Sequence, residues 1–338
     1  MEFFGFELFP SLTGGALIAA ASAFFVVGLI FTIKGGDWFV DSASWFAEVT
    51  GIPKFVIGAT VVSFATTLPE MLVSIRAASL GSTQMAIGNA VGSVTANTTL
   101  IMGISLVAMA GAVKKASFRF KGTMFLLSTV ALLALSLTGS LPIWSAAVLW
   151  SIFLAFMFFN IFEGKKEAAA DGPAHFEKGQ LPNNILFFIL GTAGIVVGAE
   201  LLVSGGKTLA RSFGVSEGII GFTVIALGTS LPELVTTLTA IRKKEHSLSV
   251  GNIVGANVID MTLILPLCAV IGGEPLPVER INLVFDFPVC IAAAAIACVP
   301  AMFIGKFKKW QGAALLILYI AYLAFLVLNE SGMIALAG

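Results

Sequence analysis

Two stretches of the chain repeat each other 163 positions apart without a gap, and each sets a glutamate inside an apolar run. The first, Gly58 to Gly103, reads GATVVSFATTLPEMLVSIRAASLGSTQMAIGNAVGSVTANTTLIMG. The second, Gly221 to Pro266, reads GFTVIALGTSLPELVTTLTAIRKKEHSLSVGNIVGANVIDMTLILP. Gly58 corresponds to Gly221, Thr66 to Thr229, Pro69 to Pro232, Glu70 to Glu233, Asn89 to Asn252 and Asn97 to Asp260. The correspondence reaches back to Gly35–Val40 and Gly198–Val203. An ionisable side chain in hydrocarbon is costly unless something pairs with it, so a carboxylate that recurs in this setting marks a functional site.

The setting is a membrane. The chain is 58% hydrophobic and 11% charged, against about 25% charged in soluble domains. Ten spans are expected: Gly14–Ile33, Val56–Ala77, Gln84–Ala110, Thr123–Leu137, Ile143–Phe162, Ile185–Val203, Glu217–Ala240, Leu248–Ile271, Leu283–Ile304 and Trp310–Leu328. Each is near the roughly 20 residues a bilayer core requires. The first runs on as an amphipathic helix through Trp38 and Trp45. Charge placement supports the count. Loops after odd-numbered spans hold 15 of the 19 Lys and Arg residues. Only Arg76, Lys207, Arg211 and Arg280 lie on the other face. The positive-inside rule makes the odd loops cytoplasmic and puts both termini outside.

Five spans per repeat is an odd number, so the second copy enters the membrane in the opposite sense. The expected fold is an all-α polytopic membrane protein of ten helices in two inverted five-helix repeats. Residues 1–162 form the first, 163–184 a polar cytoplasmic linker, and 185–338 the second. Inverted repeats are a hallmark of secondary transporters, with the substrate site near the midplane at their interface. The zero net charge suggests no nucleic-acid partner. Cys268, Cys290 and Cys298 read as small apolar residues, not as disulfides or metal ligands. The segment before Lys34 lacks a basic signal-peptide region. His175 and His246 fall in polar loops and are expected to face solvent.

Pro69 and Pro232 lie inside the expected spans. Proline lacks an N–H and clashes one turn back, which frees the carbonyls of Ala65 and Gly228. Thr66 and Thr229 stand beside them. Irregular backbone at membrane depth is tolerated where it lines a polar cavity. Freed carbonyls, hydroxyls and a carboxylate make an oxygen-only set, which suits a hard cation such as Ca²⁺. No His or Cys stands near to favour zinc or copper. The next span adds Asn89, Ser93 and Asn97 on one helix face, matched by Asn252, Ala256 and Asp260. Inverted halves would gather Glu70, Glu233, Asp260 and Asn97 around one pocket. Asp37, Glu200 and Asp286 read as helix-end or interface charges.

These residues resemble the α-repeats of the sodium/calcium exchanger family, within the cation/calcium antiporter superfamily. The family pattern, close to G-T-S-x-P-E followed by G-N-x-x-G-S-N-x-x-N/D, is matched by Ala65–Glu70 with Gly88–Asn97, and by Gly228–Glu233 with Gly251–Asp260. The resemblance is to a prokaryotic member, covers the whole chain and implies alternating access. It implies that Glu70 and Glu233, with carbonyls of Thr66 and Thr229, bind Ca²⁺. Overlapping Na⁺ sites would use Thr67, Ser230, Ser93, Asn97 and Asp260. Three departures stand out: Ala256 in place of a serine, Val94 in place of an asparagine, and Ala65 in place of a glycine.

The reading is therefore an antiporter that exchanges Ca²⁺ for Na⁺ across a cell membrane, the inner or plasma membrane, needing no cofactor and no protein partner beyond the lipid bilayer. It is not an enzyme: no catalytic Asp pair or Ser–His pair lies in the spans. The alternatives with the same architecture are H⁺/Ca²⁺ exchange and K⁺-dependent Na⁺/Ca²⁺ exchange. A cation channel fits a duplicated midplane carboxylate less well.

Overall fold

The computed structural model of the chain describes residues 2–3, 6–8, 11–113, 115–171, 178–214 and 228–330. Among these, the protein is almost entirely helical. α1 (Gly14–Thr50) is followed by α2 (Lys54–Thr66), α3 (Leu68–Ser79), α4 (Thr83–Ala108), α5 (Lys115–Ser136) and α6 (Ser145–Asp171). The later helices are α7 (Leu181–Ser212), α8 (Leu231–Arg242), α9 (His246–Gly272), α10 (Asn282–Ile304) and α11 (Lys309–Glu330). Among the described residues, eight helices are long and apolar enough to cross a membrane, or nine if α2 and α3, bent by 45° at their break, count as one span. The expected span Glu217–Ala240 begins outside the described residues, which contain α8 as its remainder.

The helices differ in how much they are enclosed. In α4 and α9, 78% and 83% of the most apolar window is buried, against 17% in α1 and 22% in α11. The two helices that carry the polar stripe are thus the centre of the molecule. Phe25, Ile30, Leu154, Phe158, Ile317 and Ile320 stay exposed on the outer helices; in water such surface would demand cover, whereas a bilayer supplies it. α1 runs on past Ile33 through Trp38 and Trp45, as expected, ends at Thr50 and packs along α7. A Cβ on Gly28 would sit 2.7 Å from the Gly198 carbonyl oxygen, so the two backbones touch. α9 lies against α2 in the same manner, where a Cβ on Gly58 would meet the Leu248 carbonyl oxygen at 2.4 Å.

Small β contacts tie loops together. β1 (Glu2–Phe3) pairs with β2 (Phe6–Glu7), and β3 (Ser140–Leu141) with β4 (Leu276–Pro277), both antiparallel. Ala112 bridges Lys306. His175 lies outside the described residues. His246, expected to face solvent, instead sets its ring edge-on against Phe307 and beside Gly111, and both ring nitrogens are buried. His246 is the first residue of α9, so its ring sits where that helix meets the segment around Gly111 and Phe307. All three cysteines are free and buried.

Candidate ion-binding site

The two prolines do more than kink a helix. After Thr66 the chain leaves the helical path at Thr67 (φ −83°, ψ 0°), and α3 starts afresh with Pro69 in its first turn. Ser230 takes the same conformation (φ −84°, ψ 6°) ahead of α8, with Pro232 in its first turn. A proline is at home there because its missing N–H has no intrahelical partner in any case. The break puts Glu70 and Glu233 each in the first turn of a helix, where the unpaired N–H groups and the helix dipole favour negative charge.

The polar residues of α4 and α9 are displayed by a second device. α4 widens into a π turn at Asn97–Ile101, and α9 does so at Asp260–Ile264. Such turns add a residue per turn and commonly occur at functional sites. They fall at corresponding positions of the two halves, and each starts on the polar residue itself.

Hydrogen bonds cross between the halves. The Thr66 hydroxyl donates to Asn252 Oδ1 at 3.1 Å, and the Thr229 hydroxyl donates to Asn89 Oδ1 at 3.2 Å. These are the same pair of residue positions, exchanged. Asn89 Nδ2 donates in turn to the Glu70 carbonyl at 3.2 Å and to Ser74 Oγ at 2.9 Å. Ser93 Oγ lies 3.4 Å from Thr229 Oγ1. The Thr67 hydroxyl donates to the Ser63 carbonyl at 2.6 Å and lies 3.4 Å from Glu233 Oε1. Asn257, three positions before Asp260, donates to Thr98 Oγ1 at 2.8 Å and so joins α9 to the π turn of α4.

Within this frame, where Asn252 Nδ2 and Asn257 Oδ1 are also left without partners, the carboxylates stand out. Glu70, Glu233 and Asp260 have no exposed surface, and Glu70 is within electrostatic range of the other two. Neither oxygen of Glu70 or of Asp260 has a hydrogen-bond partner, nor do Glu233 Oε2, Asn97 Oδ1 and Ser230 Oγ. Buried polar atoms are nearly always paired, and a buried like-charged set without a counter-charge is costly. Among the described residues, no three His, Cys, Asp or Glu side chains close into a metal cage by themselves. A cation here would draw on hydroxyl, amide and backbone oxygens as well, which is the donor chemistry of Ca²⁺ and Na⁺.

Of the nine singled-out residues, Thr66, Thr67, Ser93, Asn97 and Ser230 are buried, as are the three carboxylates, and Thr229 is half-buried; Thr67 reaches Glu233 and Ser93 reaches Thr229. Ala256 is fully buried and brings no hydroxyl. The asymmetric Asn257–Thr98 bond had no counterpart to reveal it, because Val94 stands at the matching position. Asp286 is not at the site. It accepts from Asn282 and from the Tyr322 hydroxyl on α11. Of its two expected roles, helix-end or interface charge, Asp37 has the second: it lies mid-helix on α1 and pairs with Arg242 of α8.

The family described as "Sodium/calcium exchanger protein" matches residues 20–162 and 183–328. The chain is 30% identical over 343 residues to the sodium/calcium exchanger MaX1 of Methanosarcina acetivorans, covering 89% of this chain and 97% of that one. It is 34% identical over 275 residues to the inner membrane protein YrbG of Escherichia coli, covering 77% and 83%. A solved structure of the sodium-calcium exchanger NCX_Mj, soaked with Na⁺ and Sr²⁺, superposes with a TM-score of 0.81 at 29% identity, covering 91% of this chain and 98% of that one.

Proposed function

The chain belongs to the sodium/calcium exchanger family, and on that premise we propose that it is a secondary antiporter that exchanges Ca²⁺ for Na⁺. The observation that carries the reading is the set of buried, unpartnered oxygens of Glu70, Glu233, Asp260 and Asn97. Calcium is held by Glu70 and Glu233 with the backbone carbonyls of Thr66 and Thr229. Sodium ions take overlapping positions that use Thr67, Ser230, Ser93, Asn97 and Asp260. The two ions compete for one carboxylate set, so neither crosses without the other being displaced. Like-charged carboxylates disfavour the empty site, which keeps the moving states loaded.

We read the molecule as ten spans in two inverted repeats, residues 1–162 and 185–338 joined by the cytoplasmic segment 163–184. The exchanged Thr66–Asn252 and Thr229–Asn89 bonds support this, as do the matched π turns and the matched breaks at Thr67 and Ser230. Site access then alternates between the two faces. Both termini face outside, and the protein resides in the cell membrane. Ala256, buried where a serine hydroxyl would serve a sodium ion, favours one second reading: H⁺ or K⁺ takes part in coupling.

Vesicles reconstituted with the protein, loaded with Ca²⁺ and given Na⁺, K⁺ or H⁺ gradients in turn, test the reading. Calcium flux should require opposed sodium. Flux without a counter-ion makes the protein a channel, and flux driven by pH alone removes sodium coupling. Glu70→Gln and Glu233→Gln should each abolish calcium flux while the protein remains inserted; wild-type flux in either would place the site elsewhere.

A further inference from the structure

α7 is seated tightly on α1, and α2 tightly on α9, but α2 and α7 stand apart. Close backbone approaches mark the tight faces. A Cβ on Gly191 would sit 2.6 Å from Phe39 N, and one on Gly255 would sit 2.6 Å from the Ala59 carbonyl oxygen. Between α2, α6 and α7 lies a cavity of about 850 Å³. Protein interiors hold few voids larger than a water molecule, and this volume falls within the roughly 300–1,000 Å³ of ligand pockets. The cavity follows α2 from Thr60 to Leu68, the first residue of α3, about 12 Å of helix. Residues 188–197 of α7 face it, and Met157 and Ile161 of α6 close the third side.

The wall defines the chemistry of an occupant. Its two polar side chains are satisfied within their own helices. The Thr60 hydroxyl donates to the Val56 carbonyl at 2.7 Å, and the Thr192 hydroxyl to the Phe188 carbonyl at 2.8 Å. Water is held in cavities by polar groups that need partners, and the rest of this lining is apolar, which leaves hydrocarbon as the occupant. Val61, Phe64, Ile161 and Ile189 on its rim are exposed, so the cavity opens onto the surface that lipid tails cover. Its length is most of one leaflet of a hydrocarbon core about 30 Å thick. A further feature points to a phospholipid. Met157, Ile161 and Lys165 follow one another at i, i+4 and i+8 on α6, and so share one face. Lys165 thus continues the stripe one turn beyond the cavity, and it is exposed. Among the described residues it has no carboxylate partner, and Glu163 is taken by Lys121 and Ser117, each at 2.7 Å. Gly164, close against Ile52 and Val56, fixes this end of α6 on the start of α2.

We propose that this cavity binds one membrane phospholipid, with an acyl chain in the groove between α2, α6 and α7 and its phosphate at Lys165. The chain supplies the packing that the side chains leave out on this face. It is separate from the candidate ion site. Ala65 and Leu68 form the cavity wall, whereas Thr66 and Thr67, between them, turn to Asn252 and Glu233. The chain therefore backs the helix break from the lipid side.

Photolabelling tests the assignment. The protein is reconstituted in phosphatidylcholine vesicles doped with rising amounts of a phosphatidylglycerol that carries a diazirine in mid-chain, and labelled residues are mapped by mass spectrometry. Labelling of Met157 and Thr192 should saturate, while that of the outward-facing Leu154 and Leu190, both exposed, should grow in proportion to the probe. Ala193→Phe places a ring in the groove and should lower labelling of Met157 about tenfold, the scale of overpacking an occupied site, with Leu154 unchanged. Lys165→Gln should raise the probe fraction at half-saturation about fivefold, the effect of one lysine at an anionic surface. Labelling of Met157 that grows in proportion, as on Leu154, is bulk contact only and overturns the site. Undiminished labelling in Ala193→Phe overturns the placement of the chain, and an unmoved half-saturation in Lys165→Gln overturns that of the phosphate. A thermal melt shows that each variant is folded, and the exposed Lys165 allows its variant to report even where Ala193→Phe fails to fold. The labelling needs no ion gradient, so its outcome is independent of the antiport reading.

Discussion

Replacing Gly251 by alanine probes how the packing of α9 on α2 governs the site. The added Cβ would lie 2.3 Å from the Phe55 carbonyl oxygen, 3.0 Å from its carbon and 3.1 Å from Ala59 N. All three are backbone atoms, so no side chain can swing aside. Relief requires α9 to move off α2 by about 1 Å, and overpacking of this kind costs about 1–3 kcal/mol. Asn252 is the next residue. The Thr66–Asn252 bond, now 3.1 Å, would stretch to about 4 Å, beyond hydrogen-bond range. Leaving those buried groups unpaired costs about 1–3 kcal/mol more. Since every 1.4 kcal/mol is tenfold in affinity, calcium binding should weaken by about tenfold or more. Gly312→Ala is the control. Its Cβ would meet Gly103 O at 2.6 Å and Val107 N at 2.7 Å, a comparable clash between α11 and α4. Thermal unfolding in detergent, with calcium titrations on both variants, should show both destabilised and only Gly251→Ala impaired in binding. Wild-type affinity in Gly251→Ala, or an equal loss in Gly312→Ala, would refute the argument that this contact sets the site.

Ala256→Ser adds one hydroxyl at a fully buried position and should shift the sodium dependence of exchange more than the calcium affinity; if neither moves, position 256 is not part of the site. Lys244, in the turn before α9, is left-handed (φ +61°); Lys244→Gly should stabilise the protein by about 0.5–1 kcal/mol, because the relief of left-handed strain exceeds the extra chain entropy that glycine loses on folding. Gly81→Ala should cost about 1 kcal/mol at the matching turn before α4, where Gly81 is left-handed (φ +76°). Equal melting temperatures across these variants would show that neither turn is strained by a side chain.

Much of the site was legible because apolar surroundings make polar residues conspicuous. Glu70 and Glu233 announce themselves by the cost of burying a carboxylate, and their constant offset ties them to one another. The stripe Asn89, Ser93, Asn97 follows from helical periodicity alone. Other features had no local signature. Pro69 reads as a kink, yet the chain uses it to begin a helix, since a first-turn proline leaves no donor unsatisfied. The π turns at Asn97 and Asp260 are set by how α4 and α9 pack at the centre. Asp37 reads from the sequence as a helix-end or an interface charge; it is the second, because helix docking brings Arg242 to it from a distant part of the chain.

The sequence by itself determined the medium, the duplication and the identity of the carboxylates, because transfer of apolar and ionisable groups into hydrocarbon depends on composition and order along the chain. Only the tertiary structure decided which oxygens stand free. The Thr66–Asn252 and Thr229–Asn89 pairs bond across the halves, while the carboxylate oxygens of Glu70 and Asp260 and Asn97 Oδ1 are left without partners. That division depends on distances of about 3 Å between residues more than a hundred positions apart, which only the docking of helices fixes.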